Sequence, residues 1–306
     1  MSIAEEILKL KKEKNAVILA HNYQIPEIQD LADFVGDSLE LAMRSTKVEG
    51  EMIVFCGVDF MAETAAILNP KKPVLIPEPE ARCPLAAQLP PSILLKAKEE
   101  HPGAAVVVYV NTSAEVKALS DTICTSANST QVINALEEEE VLFGPDKNLA
   151  WFAQQRSKKK IIPVPADGHC YVHRMFTPAD ILFLKEEYPV AEVLAHPECD
   201  PEVQKLADHI CSTSQMIKRA KESQAKQFII ATEIGLLHRL RKENPGKEFI
   251  PAHREPICQQ MKKNTLEKVY RCLVEEKYLV KVEPEIAERA RKAINRMFEL
   301  TTVHRD

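Results

Sequence analysis

One pattern in this chain recurs three times with a period of 87 or 88 residues, and each copy closes on a cysteine: Cys83, Cys170 and Cys258. An apolar run leads to His21 in AVILAHNYQIP, to Tyr109 in AVVVYVNTSA and to His196 in AEVLAHPECDP. Seventeen residues beyond each comes a hydroxyl, Ser38, Ser126 and Thr213. A second apolar run ends at Gly57, Gly144 and Ala231, with an acid two residues on: Asp59, Asp146 and Glu233. A third run delivers the cysteine. Self-similarity at a fixed period marks a repeated structural unit. Three units around one axis bring corresponding residues together, and three thiolates on an axis make a metal site.

The runs indicate the fold. Ile18-Leu19-Ala20, Val106-Val107-Val108 and Ile229-Ile230-Ala231 lack polar alternation, as strands of a parallel sheet buried on both faces do. Helical patterns follow them, with Ile28, Leu31, Ala32 and Val35 on one helix face. Pro26 and Pro201 stand at helix starts, and Asp200-Pro201 reads as an N-cap followed by the first helical residue. Thr112 with Glu115, and Asn264 with Glu267, have the spacing of a capping box. The expected fold class is therefore α/β: three similar three-layer α/β units with short parallel sheets, in pseudo-threefold arrangement around a central site. The expected boundaries are 2–90, 91–177 and 178–263. Residues 264–306 form two amphipathic helices, the first standing where a fourth copy would begin and the second packing back on an earlier one.

Composition excludes several classes. With 40 Lys and Arg against 45 Asp and Glu, the net charge of −5 argues against a nonspecific nucleic-acid or anionic-membrane binder. No apolar stretch approaches the roughly 20 residues that span a bilayer. The start, MSIAEEILKLKKEKN, lacks the apolar core of a signal peptide. The expected location is the cytoplasm. Eight cysteines in 306 residues are too few for a disulfide scaffold and suit a reducing compartment. With only eight glycines, and neither GxGxxG nor a Walker pattern, no nucleotide cofactor is expected.

A single cysteine usually reads as a small buried hydrophobe, but three in register read as a shared site. Structural zinc takes four protein ligands, and His169 or His253 would be the fourth. An iron–sulfur cluster held by three thiolates leaves one iron open, which suits Lewis-acid catalysis. The absence of any CxxC pair weakens both the zinc-ribbon and the ordinary ferredoxin readings. Ser38, Ser126 and Thr213 precede helices, where free amides and a hydroxyl cradle anions, although a lone hydroxyl there is commonly a cap. Facing His21 and His196, they point to a small carboxylate-bearing ligand. Tyr23, Asn111 and Glu198 occupy matching places two residues after His21, Tyr109 and His196, and His173 is a further polar candidate. Glu198 and Tyr23 are the candidate general base and general acid.

The strings LAHNYQIPEIQDLADFVGDS, YVNTSAEVKALSDTICTSAN, FGPDKNL, DGHCYVH, HPEC, STSQM, TEIGL and MKKNTL together resemble the quinolinate synthase family, the A protein of de novo NAD biosynthesis. The likeness runs in order over nearly the whole chain. It implies a [4Fe-4S] cluster on Cys83, Cys170 and Cys258 with one open iron. It implies condensation of iminosuccinate with dihydroxyacetone phosphate to quinolinate, releasing phosphate and water, and possible transient contact with the enzyme that makes the imine. By the same likeness His21, Ser38, Tyr109, Val110, Asn111, Ser126, His173, His196, Pro197, Glu198 and Thr213 line the substrate pocket, with Tyr23 and Glu198 in acid–base steps. For the triose phosphate, the amides ahead of the Asn264-Thr265 helix, or Lys262 and Lys263, are candidates. Tyr171 departs from the family, where proline commonly follows the second cysteine; the expected effect is on loop stiffness, not ligation. The rivals are an iron–sulfur hydro-lyase acting on another small dicarboxylate, and a non-enzymatic metal-binding regulator with four protein ligands.

Overall fold

Buried apolar runs too short to form one large sheet settle into three small ones. A computed structural model describes residues 2–302. The first copy runs α1 (Ile3–Glu13), β1 (Ala16–His21), α2 (Pro26–Leu31), β2 (Phe34–Gly36), α3 (Ser38–Ser45), β3 (Met52–Cys56), α4 (Asp59–Leu68) and β4 (Val74–Leu75). The second runs α5 (Pro91–Glu100), β5 (Ala105–Tyr109), α6 (Ala114–Ala118), β6 (Thr122–Cys124), α7 (Ser129–Asn134), β7 (Glu140–Gly144), α8 (Lys147–Gln154) and β8 (Lys160–Pro163). The third runs α9 (Pro178–Glu187), β9 (Glu192–Ala195), α10 (Pro201–Leu206), β10 (His209–Ile210), α11 (Thr213–Glu222), β11 (Gln227–Ala231), α12 (Leu236–Glu243) and β12 (Glu248–Pro251). Then come α13 (Leu266–Glu275) and α14 (Pro284–Thr302).

The sheets have the same order, β2-β1-β3-β4, β6-β5-β7-β8 and β10-β9-β11-β12, and their strand pairs are parallel. In such a sheet the chain reverses its direction of winding between the two central strands, and ligands bind beyond the carboxyl ends there. Those ends carry His21, Tyr109 and His196 on one strand, and Asp59, Asp146 and Glu233 just past the other.

Each sheet is the middle layer of three, as the third copy shows most simply. Val193, Ala195, Ile229 and Ala231 pack against Ile181 of α9 on one face. Leu194, Phe228 and Ile230 pack against Met216, Ala220, Leu237 and Leu240 of α11 and α12 on the other. Burying both faces explains the continuous apolar runs.

Two polar locks repeat in every copy. Asp33, Asp121 and Asp208 accept the amides of Ile18, Val106 and Val193 at 2.8, 2.7 and 2.8 Å. Lys11, Lys98 and Lys185 donate to the carbonyls of Leu31, Leu119 and Leu206 at 3.2, 2.6 and 3.1 Å. Each Asp bond ties the end of a short helix to the strand before it. Asp121→Ala should therefore lower stability by about 1 kcal/mol. The measurement is a fall in the urea midpoint with the slope unchanged.

The two C-terminal helices pack on the first two copies. Val269, Cys272 and Leu273 of α13 join Ile7 of α1 in one core over the first sheet. Helix α14 buries Ala290, Ala293, Ile294 and Met297 in the core shared by the first two copies, and Arg291 Nε donates to the Ile67 carbonyl at 2.7 Å. Residues 303–306 of the expected C-terminal segment lie outside the described residues.

Two caps differ from the sequence reading. Ser113, not Thr112, caps α6, because the Thr112 hydroxyl bonds the Tyr109 carbonyl at 2.9 Å. Thr265, not Asn264, caps α13, because Asn264 Nδ2 reaches across to the Gly57 carbonyl at 2.9 Å. Asp200 and Pro201 do open α10, but without a side-chain cap bond; the Asp200 carboxylate instead accepts Asn148 Nδ2 at 2.9 Å.

Candidate active site

The three acids that follow the second apolar runs have one shared task. Asp59, Asp146 and Glu233 accept the backbone amides of Cys83, Cys170 and Cys258 at 3.2, 3.2 and 3.0 Å. Each therefore fixes the cysteine of its own copy across two loops. Each cysteine in turn opens a tight turn, with Ala87, Arg174 and Lys262 amides donating to the Cys83, Cys170 and Cys258 carbonyls at 3.2 Å. Amides inside these turns face the sulfurs: Leu85 and Ala86 on Cys83, His173 on Cys170, Gln260 and Met261 on Cys258.

All three cysteines line one shared cavity. Burial pushes each thiol pKa up, and a nearby carboxylate adds to the push in each case. The donor set thus fits a cationic inorganic centre. Amide donors are in place for thiolate sulfur, yet three buried thiols give up their protons only to something positively charged. The histidines weighed as fourth zinc ligands face elsewhere. His169 contacts the Asp167 carbonyl through Nδ1 at 2.8 Å and Arg174 through Nε2 at 3.1 Å. His253 Nδ1 accepts the Glu255 amide at 3.2 Å, and its ring packs edge-on against Phe176. Closer to the pocket, Cys170, His173 and Glu198 each offer a donor atom within 4.8 Å of one another.

His21, Tyr23, Ser38, Tyr109, Asn111, Ser126, His173, His196, Glu198 and Thr213 line the same cavity. Val110 instead packs in the core, and the Pro197 carbonyl accepts Gln204 Nε2 at 2.8 Å. Ser38 and Thr213 are the first residues of their helices rather than the caps. Asp37 caps α3 and Ser212 caps α11, so the two hydroxyls are not consumed by capping.

The imidazoles are held in a defined state. His21 Nδ1 accepts the Tyr23 amide at 3.1 Å, and His196 Nδ1 accepts the Glu198 amide at 3.3 Å. An accepting Nδ1 puts the proton of a neutral ring on Nε2. Burial, with Lys262 opposing a charge on His21 and His173 one on His196, lowers both pKa values to about 3. Both rings are therefore neutral N–H donors.

Glu198 is the hub of the polar wall. Tyr109 donates its hydroxyl to Glu198 Oε1 at 2.6 Å, and His173 Nδ1 lies 2.8 Å from Oε2. Burial alone would raise its pKa, but the His173 imidazole and the Tyr109 hydroxyl outweigh burial and hold the carboxyl well below the usual range. On the far side of His173, Nε2 lies 2.9 Å from the Thr232 hydroxyl, which is 2.6 Å from the Tyr23 hydroxyl. Tyr23–Thr232–His173 and Tyr109–Glu198 are two hydrogen-bonded chains, and the 2.8 Å approach of His173 Nδ1 to Glu198 brings their ends together as a relay route. His173 also stacks on His196, with centroids 4.5 Å apart. Thr232 escaped the sequence reading. Its repeat partners Val58 and Pro145 are apolar, and that break in the pattern was the available signal. Asp37, Phe60, Met61 and Thr125 line the cavity unforeseen, whereas Thr232 stands behind it.

The two lysines named for the triose phosphate are engaged. Lys262 Nζ sits 2.8 Å from Glu233 Oε1 and also bonds the Tyr23 carbonyl. Lys263 Nζ bonds the Glu80 carbonyl at 2.8 Å.

Fold and site together define an α/β enzyme of three like copies, with a shared cysteine-lined pocket suited to a metal cluster and a small polar substrate. The chain matches the family model of the quinolinate synthetase A protein over residues 5–299, and it belongs to that family. It is 55% identical over 300 residues to a quinolinate synthase of Methanothermobacter thermautotrophicus, covering 98% of each chain. It is 54% identical over 305 residues to one of Methanocaldococcus jannaschii, covering 98% of this chain and 99% of that one. A third, from Pyrococcus furiosus, is 52% identical over 299 residues and covered to 98% on both sides. Among the described residues no helix is long and apolar enough to cross a membrane.

Proposed function

We propose that the chain is a quinolinate synthase of de novo NAD biosynthesis, joining iminosuccinate and dihydroxyacetone phosphate into quinolinate with release of phosphate and water. The observation that carries this reading is the convergence of one cysteine from each copy on a pocket walled by carboxylate-binding and proton-moving groups. Family membership over nearly the whole chain supports it. Cys83, Cys170 and Cys258 would hold a [4Fe-4S] cluster, whose open iron supplies Lewis acidity. The division at 2–90, 91–177, 178–263 and 264–306 is part of the same proposal, supported by one sheet falling within each of the first three segments.

The chain's own residues have separable tasks. His21 and His196 present Nε2–H donors that bind substrate carboxylates without adding positive charge. Ser38, Ser126 and Thr213 supply further donors around them, and Asn22 Nδ2 orients Thr213 through its Oγ1 at 2.8 Å. Phe60 and Met61 form an apolar wall that keeps water from the reacting carbons. Glu198, ionised and acceptor-only, takes a proton from substrate. His173, with Nδ1 2.8 Å from the carboxylate, is the next group along the relay. Tyr23, reached from His173 through Thr232, returns a proton to the oxygen that leaves as water.

Thr232→Val keeps the shape of the side chain while cutting the relay twice. The expected result is normal iron content with kcat reduced on the order of 10-fold, the lower range for a disrupted proton-transfer arrangement, and KM little changed. An unchanged kcat would remove Thr232 from the relay. The function itself is tested by supplying iminosuccinate and dihydroxyacetone phosphate to anaerobically reconstituted protein and detecting quinolinate. A hydro-lyase acting on another dicarboxylate would bind iron and make none.

A further inference from the structure

We propose that Arg239 is a positioning residue for the substrate pocket: acting through the Asn22 carboxamide, it makes the Thr213 hydroxyl a hydrogen-bond donor to a ligand carboxylate. The inference rests on the reading above that Thr213 faces substrate. Asn22 is fully buried where the first and third copies meet. Its backbone is pinned, with the amide donating to the Gly36 carbonyl at 3.0 Å and the carbonyl accepting Gln29 Nε2 at 3.3 Å. What remains to be decided is which end of the carboxamide faces which neighbour. Arg239, on α12, places Nη1 3.0 Å from Asn22 Oδ1 and 2.8 Å from the Val35 carbonyl, while its Nε donates to Glu243 at 2.6 Å. A guanidinium carries donors only, so the oxygen of Asn22 must face it. The Nδ2 end is then turned to Thr213 Oγ1, at 2.8 Å. An amide nitrogen also only donates, so Thr213 must accept, and its own proton is left for another partner. Thr213 lines the cavity, where a substrate carboxylate is that partner.

Each link in this chain has a fixed polarity, from guanidinium to carboxamide to hydroxyl to ligand. Reversing the middle link would turn the hydroxyl away, because an oxygen facing Thr213 draws the proton to itself. The repeat confines the device to one seam. At the position of Asn22 the other copies carry Val110 and Pro197, and at that of Arg239, six residues after the acid of each copy, Ala65 and Phe152. None of these four side chains donates or accepts a hydrogen bond. Arg239 is therefore not part of the scaffold that the three copies share. Its bonds to Asn22 and Val35 cross from the third copy to the first, so the carboxamide is set only when the two are docked. Arg239 stands outside the cavity lining and acts on it through Asn22.

The test is the affinity of the anaerobically reconstituted full chain for quinolinate, measured by calorimetry in a double-mutant cycle. Thr213→Val should weaken binding about tenfold, the scale of one hydrogen bond to a charged group. Arg239→Leu should weaken it roughly three- to tenfold in the wild-type background and less than about twofold in the Thr213→Val background, where no hydroxyl is left to turn. Equal losses in the two backgrounds, or none in either, overturn the role of Arg239. If Arg239→Leu does not fold, Asn22→Asp decides. It keeps an acceptor for Arg239 but offers Thr213 only oxygen, so the hydroxyl turns away from the pocket. Its loss of affinity should likewise shrink in the Thr213→Val background. Repulsion between the new carboxylate and the ligand would persist there, so an equal loss in both backgrounds overturns the proposal. A wild-type chain that binds no quinolinate overturns the functional reading instead, so the two failures are distinguishable.

Discussion

Glu198→Gln should yield a folded, brown, fully loaded protein that forms quinolinate at least about 100-fold more slowly, the scale of a lost general base. Glutamine keeps the size of the side chain and an oxygen for the Tyr109 hydroxyl, so the wall of the pocket stays in place. What disappears is the charge lying 2.8 Å from His173, and with it the proposed general base. Because Glu198 is not among the three cysteine ligands, iron and sulfide content should match wild type. A variant that keeps its rate would remove Glu198 from the chemistry. One that loses its colour would place it in metal binding, as its closeness to Cys170 and His173 allows.

Cys170→Ala should abolish colour, acid-labile sulfide and turnover together. Each of the three copies supplies one sulfur, and two remaining thiols hold a cluster poorly. Asp146 would then fix a loop with nothing to present. The proper comparison is a cysteine outside the pocket. Cys199 is fully buried and shares the HPEC string with Glu198, but its sulfur bonds the Ala231 carbonyl at 3.4 Å inside the third copy's core. Cys199→Ala should keep its iron and lose only stability, about 1 kcal/mol for a buried hydrogen bond and a small side chain. Equal loss of iron in both variants would mean that colour reports folding and not ligation.

Much of this arrangement is legible in the sequence because the repeat states each position three times. The cysteines, the acids that hold their amides and the residues at the strand ends recur at fixed offsets, and the three cysteines meet on one cavity. What the repeat does not state is less legible. Thr232 sits in a column whose other members, Val58 and Pro145, are apolar, so symmetry argues against it. Thr112 and Asn264 have capping chemistry at capping spacing. Tertiary partners claim them: the Tyr109 carbonyl for one and the Gly57 carbonyl for the other. Lys262 looks like a free cation in the string MKKNTL and is instead the partner of buried Glu233. Tyr171 reads as a loop residue that replaces a proline. Its bond to the Gln259 amide, 88 residues along the chain, appears only once the copies are docked.

The most direct check on the central claim is to count iron and acid-labile sulfide per chain after anaerobic reconstitution, in wild type and in Cys83→Ala, Cys170→Ala and Cys258→Ala. The account predicts about four of each in wild type, in a form that turns over to quinolinate. It predicts near-complete loss in every one of the three variants. A cluster that survives the removal of any one of these cysteines would contradict it.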